Sequence, residues 1–273
     1  MHLKPFVKWA GGKSQLLQYL KEQLPKYRNY YEPFVGGGAL FFELSPKHAV
    51  INDINRSLIN TYSQLKENTR ELIECIEELD SYTCDSNLFL KLREIYNQKI
   101  SNDEYDVNLA ALMIWLNKHC FNGLYRVNSK GLFNVPYNNR SYGKSIDVDN
   151  LRNIGTFLRK YNTSILNQDF EKTCSEVSKG DLVYFDSPYF PLTDTANFVD
   201  YTDQGFSIYD HKRLADLFKY LDSVGAYVML SNHDVPLVDR FYKGFNIQRI
   251  NVRRAINRDA SKRIGLEVIV RNW

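Results

Sequence analysis

The sequence predicts an α/β fold around a mostly parallel sheet, interrupted once by a small helical insertion. Two observations predict it: strand-like apolar runs recur with helical stretches between them, and that rhythm breaks over residues 56–145. The runs lie at 31–34, 49–53, 164–167, 182–186, 227–231, 247–252 and 266–271. Leu58, Ile59, Tyr62 and Leu65, then Leu72, Ile73, Ile76 and Leu79, repeat at helical spacing, as does 211–221. Within the insertion, 107–120 (VNLAALMIWLNKHC) is apolar on most faces and reads as a buried helix, and the NLFLKLREIYNQKI before it is amphipathic. Two β-prone arms then flank Asn128-Ser129-Lys130-Gly131, with glycine where a positive φ is usually needed; this reads as a hairpin or hairpin-like loop.

The 273 residues suffice for one large α/β domain, or for a core carrying an insertion, and the 44% hydrophobic and 25% charged shares are ordinary for a globular chain. No apolar run is long enough to cross a bilayer, and Met1 is followed by His-Leu-Lys-Pro rather than an apolar leader. A cytoplasmic location without membrane attachment is therefore expected. Cys75, Cys84, Cys120 and Cys174 form no CxxC pair, and the 5 histidines show no ligand spacing, so reduced thiols and no metal are expected. A net charge of +3 does not announce a nucleic-acid binder. Its distribution says more: Arg249, Arg253, Arg254, Arg258, Lys262 and Arg263 face the single acid Asp259, an excess suited to phosphate contacts or to a solvated loop.

The stretch FVKWAGGKS ends like a phosphate-binding loop, yet Val7 stands where that loop needs its first glycine, and the chain before it leaves little room for a buried strand. Three other constellations carry more. In YYEPFVGGGALFFEL, a strand leads through Gly36-Gly37-Gly38 into a helix, and Asp53 closes the next strand, where a carboxylate can accept from two ribose hydroxyls. Nucleotide- and S-adenosylmethionine-binding Rossmann-like domains share that pattern; a helix entry beside a solvent-facing acid would look the same. Asp186-Ser187-Pro188-Tyr189 ends the run GDLVYFDSPYF and offers a carboxylate, a carbonyl and a flat ring together. That set fits the exocyclic amine of a planar base, with Asp186 and the Ser187 carbonyl accepting its two N–H groups and Tyr189 stacking, although an ordinary β-turn is the plain alternative. The third is Phe121, Asn122, Leu124, Arg126 and Pro136: an arginine can bind guanine bidentately, an apolar side chain can touch a thymine methyl, and an aromatic can wedge into a stack. The same residues also suit a small-domain core with a surface arginine.

Taken in order, KWAGGK, EPFVGGGAL, NDIN, NGLYRVNSKGLFNVPY, DSPYFPLTDTANFVDY, LSNHD and VRRAINRD resemble the Dam-type (D12 class) DNA adenine-N6 methyltransferases from Phe6 almost to the C-terminus. The resemblance implies a Rossmann-like, seven-stranded methyltransferase core over 1–55 and 146–273, with an inserted, mostly helical target-recognition domain over 56–145 carrying a β-hairpin. It implies S-adenosylmethionine as methyl donor, no metal, and duplex DNA as substrate, with GATC the commonest target. Trp9, Lys13, Asp53, Ile54 and Asp186 would line the donor site, with Glu32, Pro33, Phe34, Gly36 and Gly38 beneath it and Asp169 bonding the donor's adenine. Asp186, Ser187, Pro188 and Tyr189 would hold a flipped adenine for direct in-line transfer. Lys8 would lie near the outer guanine, Phe121 and Asn122 would brace the opened stack, Leu124, Arg126 and Pro136 would read bases, and Arg253 and Arg254 would meet DNA.

Ser187 replaces the first proline of the usual Asp-Pro-Pro-Tyr; a carbonyl serves there, so serine keeps the role with less rigidity. Phe121 replaces a common tyrosine. Cytosine-N4 methylation, and an inactive DNA-binding protein on the same fold, stay open as rivals. A monomer is expected, with a cognate restriction endonuclease left open as a functional, not physical, partner.

Overall fold

The computed structural model of the chain describes residues 3–11, 16–140, 143–190, 205–253 and 264–273, excluding the side chains of 252, 253, 264 and 265. Lys13 and Arg254 lie outside the described residues, as does the side chain of Arg253. The elements in order are α1 (Leu17–Gln23), β1 (Tyr30–Glu32), α2 (Ala39–Leu44), β2 (Ala49–Asn52), α3 (Arg56–Glu67), α4 (Thr69–Asp80), α5 (Ser86–Ser101), α6 (Val107–His119), α7 (Val148–Lys160), β3 (Ser164–Leu166), α8 (Phe170–Thr173), β4 (Leu182–Phe185), α9 (Ile208–Ser223), β5 (Tyr227–His233), α10 (Pro236–Phe241), β6 (Asn246–Arg253) and β7 (Ile264–Arg271). The strands form one seven-stranded sheet in the order β3-β2-β1-β4-β5-β7-β6, so the chain makes a mixed α/β fold.

All seven expected strands are present, with ends shifted by a few residues. The pairs β2/β3, β1/β4 and β4/β5 are parallel, whereas β7 runs antiparallel to both β5 and β6. The chain between Arg253 and Ile264 is shorter than the dozen or so residues a parallel crossover needs, so β7 must return beside β6 in the opposite sense. β4 is buried along its whole length, which suits its apolar LVYF sequence and a place inside a sheet covered on both faces.

The chain folds as two compact units, Met1–Ser14 with Val35–Gln168, and Gln15–Phe34 with Asp169–Trp273. In the first, α6 is buried on almost every face and packs against α3, α4 and α5, as its unbroken apolar sequence predicts. Asn55, Asp85, Asp106 and Asp147 each cap the helix that follows by accepting from a backbone N–H of its first turn, which fixes where α3, α5, α6 and α7 begin. In the second unit, Ser207 and Asp210 form a reciprocal capping box that starts α9.

The expected hairpin at Asn128-Ser129-Lys130-Gly131 is a hairpin-like loop rather than a pair of strands. Gly131 adopts φ +75° and donates to Asn128 O, and the backbone pairing of the arms is confined to isolated antiparallel bridges, Val127 to Phe133 and Cys120 to Tyr137. Asn97 accepts from Phe133 N and donates to Phe133 O, so a side chain satisfies the edge of this arm that faces away from its partner.

Candidate functional site

In the first unit the chemistry gathers at the end of β2. Asn52, fully buried, accepts from Gln168 N and donates to Gln168 O, tying the exits of β2 and β3 together. Asp53 follows, half-buried, with Oδ1 accepting from Asn55 N at 2.8 Å and Oδ2 from Gly36 N at 3.0 Å. Burial pushes its carboxyl up to about 6, and the two backbone N–H groups pull in the opposite direction. Gly36 and Gly38 have φ of +48° and +71°, which favours glycine, and close packing requires it as well. A Cβ on Gly36 would stand 2.8 Å from Trp9 Cδ1, and one on Gly38 would stand 2.5 Å from the hydroxyl of Tyr62, which itself donates to Gly36 O. Trp9, Gly36, Gly38 and Asp53 are thus brought together, and Ile54 beside them is 77% exposed.

A primary amide organises the neighbouring loop. Asn117 of α6, buried, accepts from Lys8 N and donates to both Lys8 O and Gly123 O. Trp9 stacks on Tyr125 at 5.2 Å between ring centroids. Phe121, 51% exposed, opens a 3-10 turn, Phe121–Gly123, and donates its N–H to Pro136 O. Asn122 there takes φ 56°, a left-handed conformation asparagine tolerates. Lys8, Phe121, Asn122, Leu124, Arg126 and Pro136 are all exposed, so these residues are a surface rather than a small-domain core. Arg126 donates from Nε to Asn134 Oδ1 and from Nη2 to Asn134 O, which spreads the guanidinium along the opposite arm.

In the second unit β1 and β4 run side by side and parallel, and their carboxyl ends carry the remaining candidates. Glu32, at the end of β1, is buried and accepts from the Tyr30 hydroxyl at 2.8 Å; Pro33 is buried beside it. Phe34 packs its ring against Phe170, which follows Asp169, and Phe185, which precedes Asp186. Asp169 caps α8 rather than ending β3: its Oδ1 accepts from Glu171 N and from Arg213 Nη2 at 2.8 Å. Arg213 also pairs with Glu171 and Asp210, and these acids hold its guanidinium above the usual range.

The Asp186–Tyr189 turn leaves β4 directly. Ser231 Oγ donates to Asp186 Oδ1, and Asn232 Nδ2 donates to Ser187 Oγ and Pro188 O. Tyr189 stacks on His233 at 3.6 Å and donates from its hydroxyl to the buried Glu267 at 3.3 Å. Residue patterns along the chain give no role to Asn117, Tyr125, Arg213, Ser231 or Asn232. For Ser231 and Asn232 a signal existed: LSNHD places polar residues at the end of an apolar strand.

Arg249 departs from expectation. It is not part of an unopposed basic stretch, because it pairs with Asp234 at 2.9 Å and Asp239 at 2.7 Å. Both acids lie upstream of the basic run, where local charge counting does not reach them. Among the described residues no group of three or more His, Cys, Asp or Glu is placed to hold a metal ion, and no helix is long and apolar enough to cross a membrane. All four cysteines are free of disulfides.

The sequence model of the D12 class N6 adenine-specific DNA methyltransferase family matches residues 9–256. The Type II methyltransferase M1.LlaDCHI of Lactococcus lactis subsp. cremoris is 44% identical over 100% of this chain and 96% of its own. The Type II methyltransferase M.MjaIII of Methanocaldococcus jannaschii is 41% identical, covering 96% of each. A DNA adenine methylase of Vibrio cholerae is 34% identical over 95% of this chain and 92% of its own.

Proposed function

We propose that this chain, which belongs to the D12 class N6 adenine-specific DNA methyltransferases, methylates adenine N6 within GATC in duplex DNA after flipping the base from the helix. The observation that carries the reading is the Asp186–Tyr189 turn, where a carboxylate held by Ser231 stands beside a carbonyl and a flat ring. Asp186 and the Ser187 carbonyl accept the two N–H groups of the adenine amine, which draws the nitrogen lone pair out of the ring and offsets the positive charge that grows on it. Tyr189 and Pro188 hold the base in plane.

S-adenosylmethionine, the donor that D12 methyltransferases use, supplies a sulfonium methyl group for direct in-line transfer to N6. The corner at Asp53 fits it: a carboxylate fixed by two backbone N–H groups suits ribose hydroxyls, and exposed Ile54 offers an apolar face for a purine. Trp9, Lys13, Glu32, Pro33, Phe34, Gly36, Gly38 and Asp169 complete the proposed donor contacts. These residues need only bind, align and exclude water, since the donor is already activated.

Residues 56–145 form the proposed target-recognition domain, within a catalytic domain of 1–55 and 146–273. Lys8, Leu124, Arg126 and Pro136 contact the target site, Phe121 and Asn122 brace the gap left by the flipped base, and Arg253 and Arg254 meet phosphates. The exposure of Phe121, Asn122, Leu124 and Arg126 supports this assignment. The protein acts as a monomer in the cytoplasm. The name Type II methyltransferase carried by two relatives supports a restriction endonuclease as functional partner.

The test is incubation with labelled donor and duplexes that contain or lack GATC, followed by identification of the methylated nucleoside. N6-methyladenine confined to GATC is the expected product. N4-methylcytosine would establish the cytosine reading, and DNA binding without methylation would establish an inactive binder.

A further inference from the structure

The Asn232 amide uses all of its hydrogen-bonding capacity, three bonds of it on the segment 187–190 and the fourth on the backbone of its neighbour His233. Parallel strands β4 and β5 are in register from Leu182 with Tyr227 to Phe185 with Leu230, so one step further Ser231 stands beside Asp186, and two steps further Asn232 stands beside Ser187. Side chains alternate along a strand, so Ser231 with Asp186 and Asn232 with Ser187 lie on opposite faces. Asn232 is completely buried. Its Nδ2 donates to Ser187 Oγ at 3.2 Å and to Pro188 O at 3.2 Å. Its Oδ1 accepts from Phe190 N at 3.1 Å and from His233 N at 2.8 Å. A primary amide has two donors and two acceptor lone pairs, and here all are used. Nothing is left for a substrate.

Resting on the reading of this turn as the base-holding element, we propose that Asn232 is a positioning residue that aims the Ser187 carbonyl, and that the Ser187 hydroxyl is its handle. Bonds to the side chain of 187 and the carbonyl of 188 bracket the peptide joining them, the unit that carries the Ser187 carbonyl. Fixing both ends sets the direction in which that oxygen points. Serine leaves φ free where a proline ring would fix it, and the bond from Asn232 to Ser187 Oγ supplies the missing restraint from outside the chain. The bond is available only to a residue with a side-chain acceptor, so the pair Ser187 and Asn232 works as one unit.

The test compares Ser187→Ala, Ser187→Pro, Asn232→Ala and Asp186→Ala in the full chain. Single-turnover methyl transfer at saturating donor and DNA is measured per folded, donor-binding molecule, beside the donor Kd. Ser187→Ala removes the handle and should slow transfer roughly fivefold, the loss expected for one neutral hydrogen bond. Ser187→Pro removes the same handle but stiffens the backbone, and should recover most of that loss. Asn232→Ala should slow transfer more than Ser187→Ala, with the donor Kd unchanged in all three. A residue needed only for folding would lower the folded fraction and leave the rate per folded molecule intact. Wild-type transfer by Ser187→Ala, or a Ser187→Pro variant no faster than Ser187→Ala, would overturn the proposal. That pair decides the matter even where Asn232→Ala fails to fold. Substantial turnover by Asp186→Ala would instead overturn the reading of the turn itself.

Discussion

The Ser231 hydroxyl donates to Asp186 Oδ1 at 3.0 Å, across two parallel strands whose register sets the residues side by side. Because Ser231 gives its one hydrogen to the carboxylate, it accepts from the Tyr184 hydroxyl, which lies 2.9 Å away. Burial and the nearby Asp186 charge raise the Tyr184 phenol well above its ordinary value, so it stays protonated and remains a donor. The chain Tyr184 to Ser231 to Asp186 therefore favours an ionised Asp186. Ser231→Ala should remove a hydrogen bond to a charged acceptor, worth about 1.5–3 kcal/mol, and slow methyl transfer by roughly one to two orders of magnitude. Tyr184→Phe should have a smaller effect of the same sign. Single-turnover rates of both variants, at saturating donor and DNA, check the order.

An acid that closes an apolar run could be placed at a strand end from the chain alone. Asp53 and Asp186 stand out because AVIN and LVYF must be buried, and an acid next to them marks where the strand leaves the sheet. Partners brought by register were not readable in that way. Nothing local says that Asn232 meets Ser187, since their neighbourhood depends on β5 lying next to β4. The partners of Arg249 were hidden for a like reason: Asp234 reaches it from the chain before α10 and Asp239 from within that helix. Asp169 lies just past the run 164–167, and aspartate with a helix starting behind it is a good N-cap, which is the role its side chain takes.

Donor affinity should depend on pH through Asp53. Its carboxyl is pushed up to about 6, and both ribose hydroxyls are donors, so the ionised form is the better acceptor. Below that value the protein binds donor only after losing a proton, and affinity falls as pH falls. At pH 5 about one molecule in ten is ionised, which predicts a donor Kd roughly tenfold weaker than the plateau above pH 7. Asp53→Asn should bind more weakly at every pH and show a flat profile. Calorimetric titration of donor between pH 5 and 8 measures both, and a wild-type profile without a bend near 6 would remove Asp53 from the ribose contact.

Arg126 is held flat against Asn134 by two hydrogen bonds, so its fork is oriented before any DNA is present. If it reads a guanine bidentately, Arg126→Ala should relax discrimination at that base by about 1–3 kcal/mol, while changing affinity for unrelated duplexes far less. Asn134→Ala removes the bond to Oδ1 but keeps the one to the backbone carbonyl, and should lose part of the same discrimination. The observable is the ratio of kcat/KM for GATC against duplexes with one guanine replaced. An unchanged ratio in Arg126→Ala, beside a uniform loss on all duplexes, would make the contact a phosphate contact.

Gly155 offers a stability test away from the chemistry. It lies on α7, where a Cβ would stand 2.1 Å from Thr69 Oγ1 and 2.7 Å from Leu65 O. Thr69 cannot easily turn aside, because its hydroxyl donates to Leu65 O at 2.6 Å and accepts from Arg159 Nη1 at 2.7 Å. Alanine is favoured over glycine in a helix by about 1 kcal/mol, but overpacking against a backbone carbonyl costs about 1–3 kcal/mol or more. Gly155→Ala should therefore lower the unfolding midpoint by several degrees, whereas Gly143→Ala, with open space around its Cβ, should leave it nearly unchanged. Thr69→Ala removes the nearer clash but not Leu65 O, so in the Gly155→Ala background it should cost less than it does alone. Strict additivity in that double mutant would show that α7 moves away from Leu65 and Thr69 at little cost.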